Sequence, residues 1–295
     1  MSLEKYLKYL RADRLPHVWC PGCGNGIALK AIVGAIDELQ LDPNKVAVVS
    51  GIGCSSRATG DLNFNTLHTL HGRAIAFASG VKLARPEIKV IVITGDGDLA
   101  AIGGNHFIHA ARRNIDLTVV CFNNNIYGMT GGQYSPTTPH DSYATTSPYG
   151  NMENSFDLSR MAIAAGASYV ARSTAYHFLP TQTYIKHGLE NEGFSFVEVM
   201  TQCPTYLGRY AGIGTAPQMM LYFKEKAFNL PKPKAPEAGK AEEENILNDP
   251  IVRLQEAQRN NPGRIVIGEF INEKKPGYLS EYQKIVQKAM SMQES

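Results

Sequence analysis

"IKVIVITGDGDLA", residues 88–100, decides the fold. Its first half is a nearly unbroken apolar run, and a strand that faces water on one side would alternate instead. An unbroken run belongs to a strand covered on both faces, the condition of a parallel sheet flanked by helices. The run stops at the glycine-acid turn of residues 95–98, so the predicted strand opens onto a polar mouth.

The same pattern repeats outward. Upstream, "KVAVVSGIGCSS" (45–56) reads as a buried strand running into a glycine-rich turn that carries Cys54. "HGRAIAFASGVKLARP" (71–86) reads as a helix stopped by Pro86. Downstream, a helix is expected over roughly Ala100–Arg113, then a strand in "DLTVVCFNNN" (116–125). Two further helix-then-strand units lie in 156–173 and 183–204, with Cys203 just after the strand of the second. Before all of these, Asn25 is placed to cap a helix whose apolar positions (Ile27, Ala28, Ala31, Ile32, Ala35, Ile36, Leu39) share one face. This alternation predicts an α/β fold, doubly wound around a mainly parallel sheet. In such a sheet the turns after successive strands lie along one edge, where ligands bind. Cys54, Asp96, Asn124 and Cys203 are thereby gathered from distant parts of the chain.

The chain has 295 residues, enough for one large α/β domain with an appendage. Residues 1–225 are assigned to that domain and 226–295 to a charged linker and tail. "PKPKAPEAGKAEEEN" (231–245) has charge and proline but little to bury, and reads as exposed. The segment beyond regains apolar character in "RIVIGEF" (264–270), too short for a core of its own, and is expected to pack on the main domain or on a partner chain. A net charge of +2 gives no reason to expect a nucleic-acid or membrane-surface partner. The first 17 residues mix charges without a long apolar run, and no stretch reaches the ~18–20 apolar residues of a membrane helix. A cytoplasmic protein is expected.

In a reducing compartment a CxxC pair signals metal or redox chemistry rather than a disulfide. The chain has five cysteines. Cys121 lies inside an apolar run and reads as a small buried hydrophobe. Cys20, Cys23, Cys54 and Cys203 remain, the ligand number of a zinc ion or an iron–sulfur cluster. Structural zinc more often uses two local pairs, whereas here only Cys20-Pro21-Gly22-Cys23 is local. The residues themselves leave both metals open, with four unrelated buried thiols as the bland alternative.

Asp96 and Asn124 form a second constellation. Mg²⁺ takes hard oxygen ligands and is commonly held by one or two carboxylates together with phosphate oxygens. Gly95 and Gly97 allow backbone to approach a diphosphate. One helix and one strand after Asp96, the chain returns at Asn124 beside it. Two ordinary turns would use the same residue types, but "GDGD" followed at this distance by "NNNIYGMTGGQ" (123–133) is a specific pair.

That pair resembles the diphosphate-binding half of thiamine diphosphate enzymes. Together with "CPGCG" (20–24), "GIGCSS" (51–56), "HGRA" (71–74) and "QCPT" (202–205), the chain resembles the β subunit of 2-oxoacid:ferredoxin oxidoreductases, most of all the 2-oxoglutarate branch. The likeness covers roughly residues 15–225, with the "IGEF" segment as a further match. It implies that Cys20, Cys23, Cys54 and Cys203 hold one [4Fe–4S] cluster, and that Asp96, Asn124 and the carbonyl of Ile126 hold Mg²⁺. It further implies that Ser55, His71, Gly72, Gly95, Gly97 and Asp98 line the thiamine diphosphate site; a helix-capping role is the plainer reading of His71.

The expected reaction is CoA-dependent oxidative decarboxylation of 2-oxoglutarate, with single electrons passing through the cluster to ferredoxin. A pyruvate or broad 2-oxoacid enzyme is the alternative. Arg57, three residues after a cluster ligand, would grip the distal carboxylate of 2-oxoglutarate in a bidentate fork; its plainer reading is a surface arginine. One domain of this size leaves no room for the aminopyrimidine-binding half, so activity is expected only with an α subunit, as αβ or (αβ)₂. Two rivals remain: a cluster-free thiamine enzyme, and a zinc-stabilised binding module.

Overall fold

The computed structural model describes residues 4–231, 233 and 248–292. Its eight strands are β1 (Val46–Ser50), β2 (Asn65–His68), β3 (Lys89–Gly95), β4 (Leu117–Asn123), β5 (Tyr169–Thr174), β6 (Phe194–Met200), β7 (Ala227–Asn229) and β8 (Ile265–Asn272). They form one sheet in the order β2-β1-β3-β4-β6-β5-β8-β7. Every pairing is parallel except β5 with β8.

The helices are α1 (Glu4–Leu7), α2 (Asn25–Glu38), α3 (Ala58–Asp61), α4 (Ala74–Ala84), α5 (Gly104–Arg112), α6 (Leu158–Ala164), α7 (Phe178–Glu190), α8 (Ala216–Lys226), α9 (Pro250–Asn260) and α10 (Tyr278–Ser291). They cover both faces of the sheet, because the central strands are apolar on both. Val90 and Val92 of β3 pack into one core with α4, α5, α6 and α9. Ile91 and Ile93, pointing the opposite way, pack into a second core with α2 and α7. In β4, Val119 and Cys121 join the first core, and Val120 and Phe122 the second. Cys121 is thus a fully buried packing residue. Each side chain so buried contributes about 1.5–3 kcal/mol.

Strand order reverses beside β1. From β1 the chain steps outward to β2, then returns across β1 to β3 and β4. The turns after β1 and β3 therefore part from one another and leave a crevice at the carboxyl ends.

Two details differ from the sequence expectations. The helix expected over Ala100–Arg113 begins at Gly104, after a wide turn over Asp98–Ile102. The start of α2 is capped by Gly24, and Asn25 is its first helical residue with no side-chain cap bond; the N–H groups of Ile27 and Ala28 both reach the carbonyl of Gly24. The apolar tail segment packs on the main domain, one of the two places expected for it, by joining the sheet. β8 pairs antiparallel with β5, and Val266, Phe270 and Ile271 enter the first core. The linker reading of residues 231–245 lies outside the described residues except at Pro231 and Pro233. Among the described residues, no helix is long and apolar enough to cross a membrane.

Candidate cofactor and cluster site

Two cavities adjoin in the crevice. The first, about 210 Å³, lies over the ends of β1, β3 and β4. Ser55, His71, Gly95, Asp96, Gly97, Asp98, Asn124 and Ile126 all line it, so eight of the expected cofactor residues come together. Gly72 lies behind this wall, where its N–H donates to Oδ1 of Asp98 at 2.7 Å.

Asp96 is almost wholly enclosed. Burial pushes its carboxyl up, and hydrogen bonds from the hydroxyls of Ser135 and Thr137 oppose that push. Both hydroxyls donate to the same oxygen, Oδ2, at 2.5 and 2.7 Å. The Thr137 hydroxyl also lies 3.1 Å from Oδ1 of Asn123, whose Nδ2 donates to Glu198. The metal-ligand candidate is therefore fixed from behind by a buried polar chain. On the neighbouring strand end, Oδ1 of Asn124 accepts the N–H of Ile126 at 3.3 Å.

Asp98 has a different part. Its Oδ1 accepts from the N–H of Gly72, the N–H of Ile52 and Nδ1 of His71, and its Oδ2 accepts from the hydroxyl of Thr94. A carboxylate so engaged ties the loops after β1 and β2 to the end of β3. It also fixes the His71 ring and leaves Nε2 as the ring nitrogen not used for this contact. Gly97 is needed for close approach, since a Cβ there would lie 2.2 Å from the ring of Tyr127. The Tyr127 hydroxyl in turn donates to the carbonyl of Gly97 at 3.2 Å.

The second cavity, about 580 Å³, is lined by Cys20, Cys23, Cys54, Cys203 and Arg57. The CxxC hairpin is docked onto the end of β6 by the N–H of Gly24, which donates to the carbonyl of Gln202 at 3.1 Å. Within the hairpin, Gly22 has φ +78°, and a Cβ there would strike Ala216 at 2.4 Å. Glycine is required on both counts. Burial pushes the Cys23 thiol up to about 12 and the Cys54 thiol up to about 11, with neighbouring cysteines adding to both; Arg57 pulls Cys54 the other way. Burial raises Cys203 as well. Trp19 donates Nε1–H to the carbonyl of Cys54 at 2.6 Å and so holds that cysteine's turn.

The cavities share Cys54, Asn124, Gly128 and Met129. A Cβ on Gly128 would stand 3.5 Å from Sγ of Cys54, 3.6 Å from Sγ of Cys203 and 4.0 Å from Nδ2 of Asn124. One bare glycine thus separates the sulfurs from the candidate metal ligand. Among the described residues, no three His, Cys, Asp or Glu side chains converge tightly enough for a single metal ion. The four cysteines line one cavity.

Sequence reasoning missed Asn25, Trp19, Tyr127, Ser135 and Thr137. The lone tryptophan beside Cys20 was a usable signal. Ser135 and Thr137 sit in a loop whose residue types are those of any turn.

Comparison with known proteins agrees with this geometry. Residues 46–199 match the family model described as thiamine pyrophosphate enzyme, C-terminal TPP binding domain. The chain is 53% identical over 285 residues to "2-oxoglutarate synthase subunit KorB" of Methanocaldococcus jannaschii, covering 97% of this chain and 98% of that one. It is 57% identical over 202 residues to the subunit of the same name from Archaeoglobus fulgidus, covering 68% and 75%. Among solved structures it resembles a 2-oxoglutarate:ferredoxin oxidoreductase from Magnetococcus marinus with 2-oxoglutarate, coenzyme A and succinyl-CoA bound. There the TM-score is 0.84 and the identity 35%, over 98% of this chain and 92% of that one.

Proposed function

Because the chain belongs to the family of 2-oxoglutarate synthase KorB subunits, within the thiamine pyrophosphate enzymes, we propose that it is the β subunit of a 2-oxoglutarate:ferredoxin oxidoreductase. The reaction is oxidative decarboxylation of 2-oxoglutarate with CoA, giving succinyl-CoA and CO₂ while two electrons leave singly for ferredoxin. The observation that carries this reading is the shared wall at Gly128, which sets a four-cysteine cavity against a diphosphate-type cavity.

The residues present fit the groups the reading requires. Four cysteines lining one cavity, of which only Cys20 and Cys23 form a local pair, suit a [4Fe–4S] cluster better than structural zinc, which more often uses two local pairs. Asp96, Asn124 and the carbonyl of Ile126 are oxygen donors at one cavity wall, the ligand type Mg²⁺ takes. When bound, thiamine diphosphate supplies the nucleophilic carbon for the keto group and takes up the electrons of decarboxylation, and the cluster accepts them one at a time.

The chain's own residues bind and orient. Gly97 leaves room for the Tyr127 ring and presents bare backbone to the first cavity. Ser55 follows the cluster ligand Cys54 directly, so one turn serves both cavities. His71, held by Asp98, keeps Nε2 to hold or pass a proton. Arg57 lines the cluster cavity and is exposed there, and it takes the distal carboxylate of the substrate. The partner α subunit supplies the aminopyrimidine-binding half. A reducing cytoplasm is the compartment in which a CxxC pair serves metal chemistry rather than a disulfide.

The test is an anaerobic assay of the chain co-purified with its partner subunit, using 2-oxoglutarate or pyruvate, CoA and a low-potential one-electron acceptor. CoA-dependent reduction with 2-oxoglutarate preferred supports the assignment. Pyruvate preferred would move the chain to the other branch, and no reduction with either would remove the redox function.

A further inference from the structure

We propose that the carboxamide of Asn25 is a direct hydrogen-bonding partner of the cofactor's diphosphate; this rests on the reading of the first cavity given above. Asn25 is 1% exposed, yet neither Nδ2 nor Oδ1 has a partner in the protein. A buried polar group left unbonded costs about 1–3 kcal/mol, so such groups are nearly always paired. Asn25 does not serve as the helix cap, a position Gly24 occupies. Its surroundings offer one remaining place for a partner, the cavity it lines together with Asp96, Gly97 and Asn124.

The chemistry selects an anion. Nδ2 offers two N–H donors. Asn25 is also the first residue of the 14-residue helix α2, whose N-terminal end carries partial positive charge. Across the cavity, Asp96 has Oδ2 taken by Ser135 and Thr137. One wall thus presents donors and the other a carboxylate, the pair of surfaces that a diphosphate bound with its cation requires. The cluster is not the partner, because Asn25 lines the first cavity and not the second.

The test uses the complex with the partner subunit, stripped of thiamine diphosphate, as parent, Asn25→Ala and Asn25→Asp. Calorimetric titration with Mg²⁺–thiamine diphosphate gives the affinity, and thermal unfolding of the stripped complex and its iron content are read alongside. Asn25→Ala is expected to bind at least about tenfold more weakly, the loss of one charge-assisted hydrogen bond. Its stripped form should unfold at the parent's temperature or higher, with unchanged iron. Asn25→Asp places a negative charge against the phosphates and should bind more weakly still.

Parent-like affinity in either variant would overturn the proposal. So would a fall in the stripped Asn25→Ala complex's unfolding temperature in step with lost binding, the mark of a structural role. A parent complex that fails to bind Mg²⁺–thiamine diphosphate would instead overturn the reading of the cavity itself.

Discussion

Thr137 donates its hydroxyl to Oδ2 of Asp96 at 2.7 Å, from 41 residues further along the chain. With Ser135 on the same oxygen, Oδ2 is engaged twice and the carboxylate is fixed in place. The loop after β4 therefore sets the aim of a ligand on β3. Removing the hydroxyl in Thr137→Val should weaken Mg²⁺-dependent retention of thiamine diphosphate by about tenfold, the worth of one hydrogen bond to a charged group. Thr137→Ser should restore it. Equal loss in both variants, read by cofactor content after gel filtration, would contradict the role.

Behind that loop, Arg172 pairs with Asp157 at 2.5 Å and with Glu198 at 2.7 Å, all three buried or nearly so. Gln258 of α9 donates to Asp157, so the C-terminal segment is fastened to this network. Arg172→Leu strands two carboxylates and should cost about 3–5 kcal/mol. Burial alone would push Asp157 up, but the guanidinium and the other donors outweigh it and hold the carboxyl below its ordinary value. Stability from a depressed carboxyl is present above the unfolded value and lost as pH falls through the folded one. The gap in unfolding temperature between parent and Arg172→Leu should accordingly shrink below about pH 4.

Arg57 tests substrate choice. Arg57→Ala should raise the KM for 2-oxoglutarate far more than for pyruvate, because only the former has a distal carboxylate. A bidentate guanidinium contact is worth about 1.5–3 kcal/mol, or roughly tenfold to a hundredfold in KM. Equal changes for the two substrates would remove the assignment.

Cysteine replacements should divide sharply. Cys203→Ala should lose bound iron, since Cys203 lines the four-sulfur cavity. Cys121→Ala, in the core of β4, should keep iron and cost only about 1 kcal/mol of packing. Iron analysis of the two anaerobic preparations decides it, and iron retained by Cys203→Ala would contradict the ligand set.

Much of this was legible in the sequence because the central strands are coded locally. The runs ending at Gly95 and Asn123 name their own strands, and the turns after them had to meet at one sheet edge. What was not legible depends on distant partners. β2 is four residues long and mostly exposed, so no apolar run marks it. The apolar character of β8 was visible, but its antiparallel place beside β5 is a long-range pairing. Asn25 looked like a cap because asparagine is favoured there; Gly24, whose N–H is bound to the carbonyl of Gln202, takes the cap one residue earlier. Arg57 was expected near the active centre, and its place in the cluster cavity follows from the short turn over Ser55–Arg57, which no pattern announces.

The central claim is that the cysteine cavity holds an electron-accepting cluster one glycine away from the thiamine site. Iron, zinc and acid-labile sulfide measured on the anaerobically purified complex test it most directly. The account predicts about four irons and four sulfides per chain, the content of one cubane, with no stoichiometric zinc. One zinc per chain and no sulfide would contradict it.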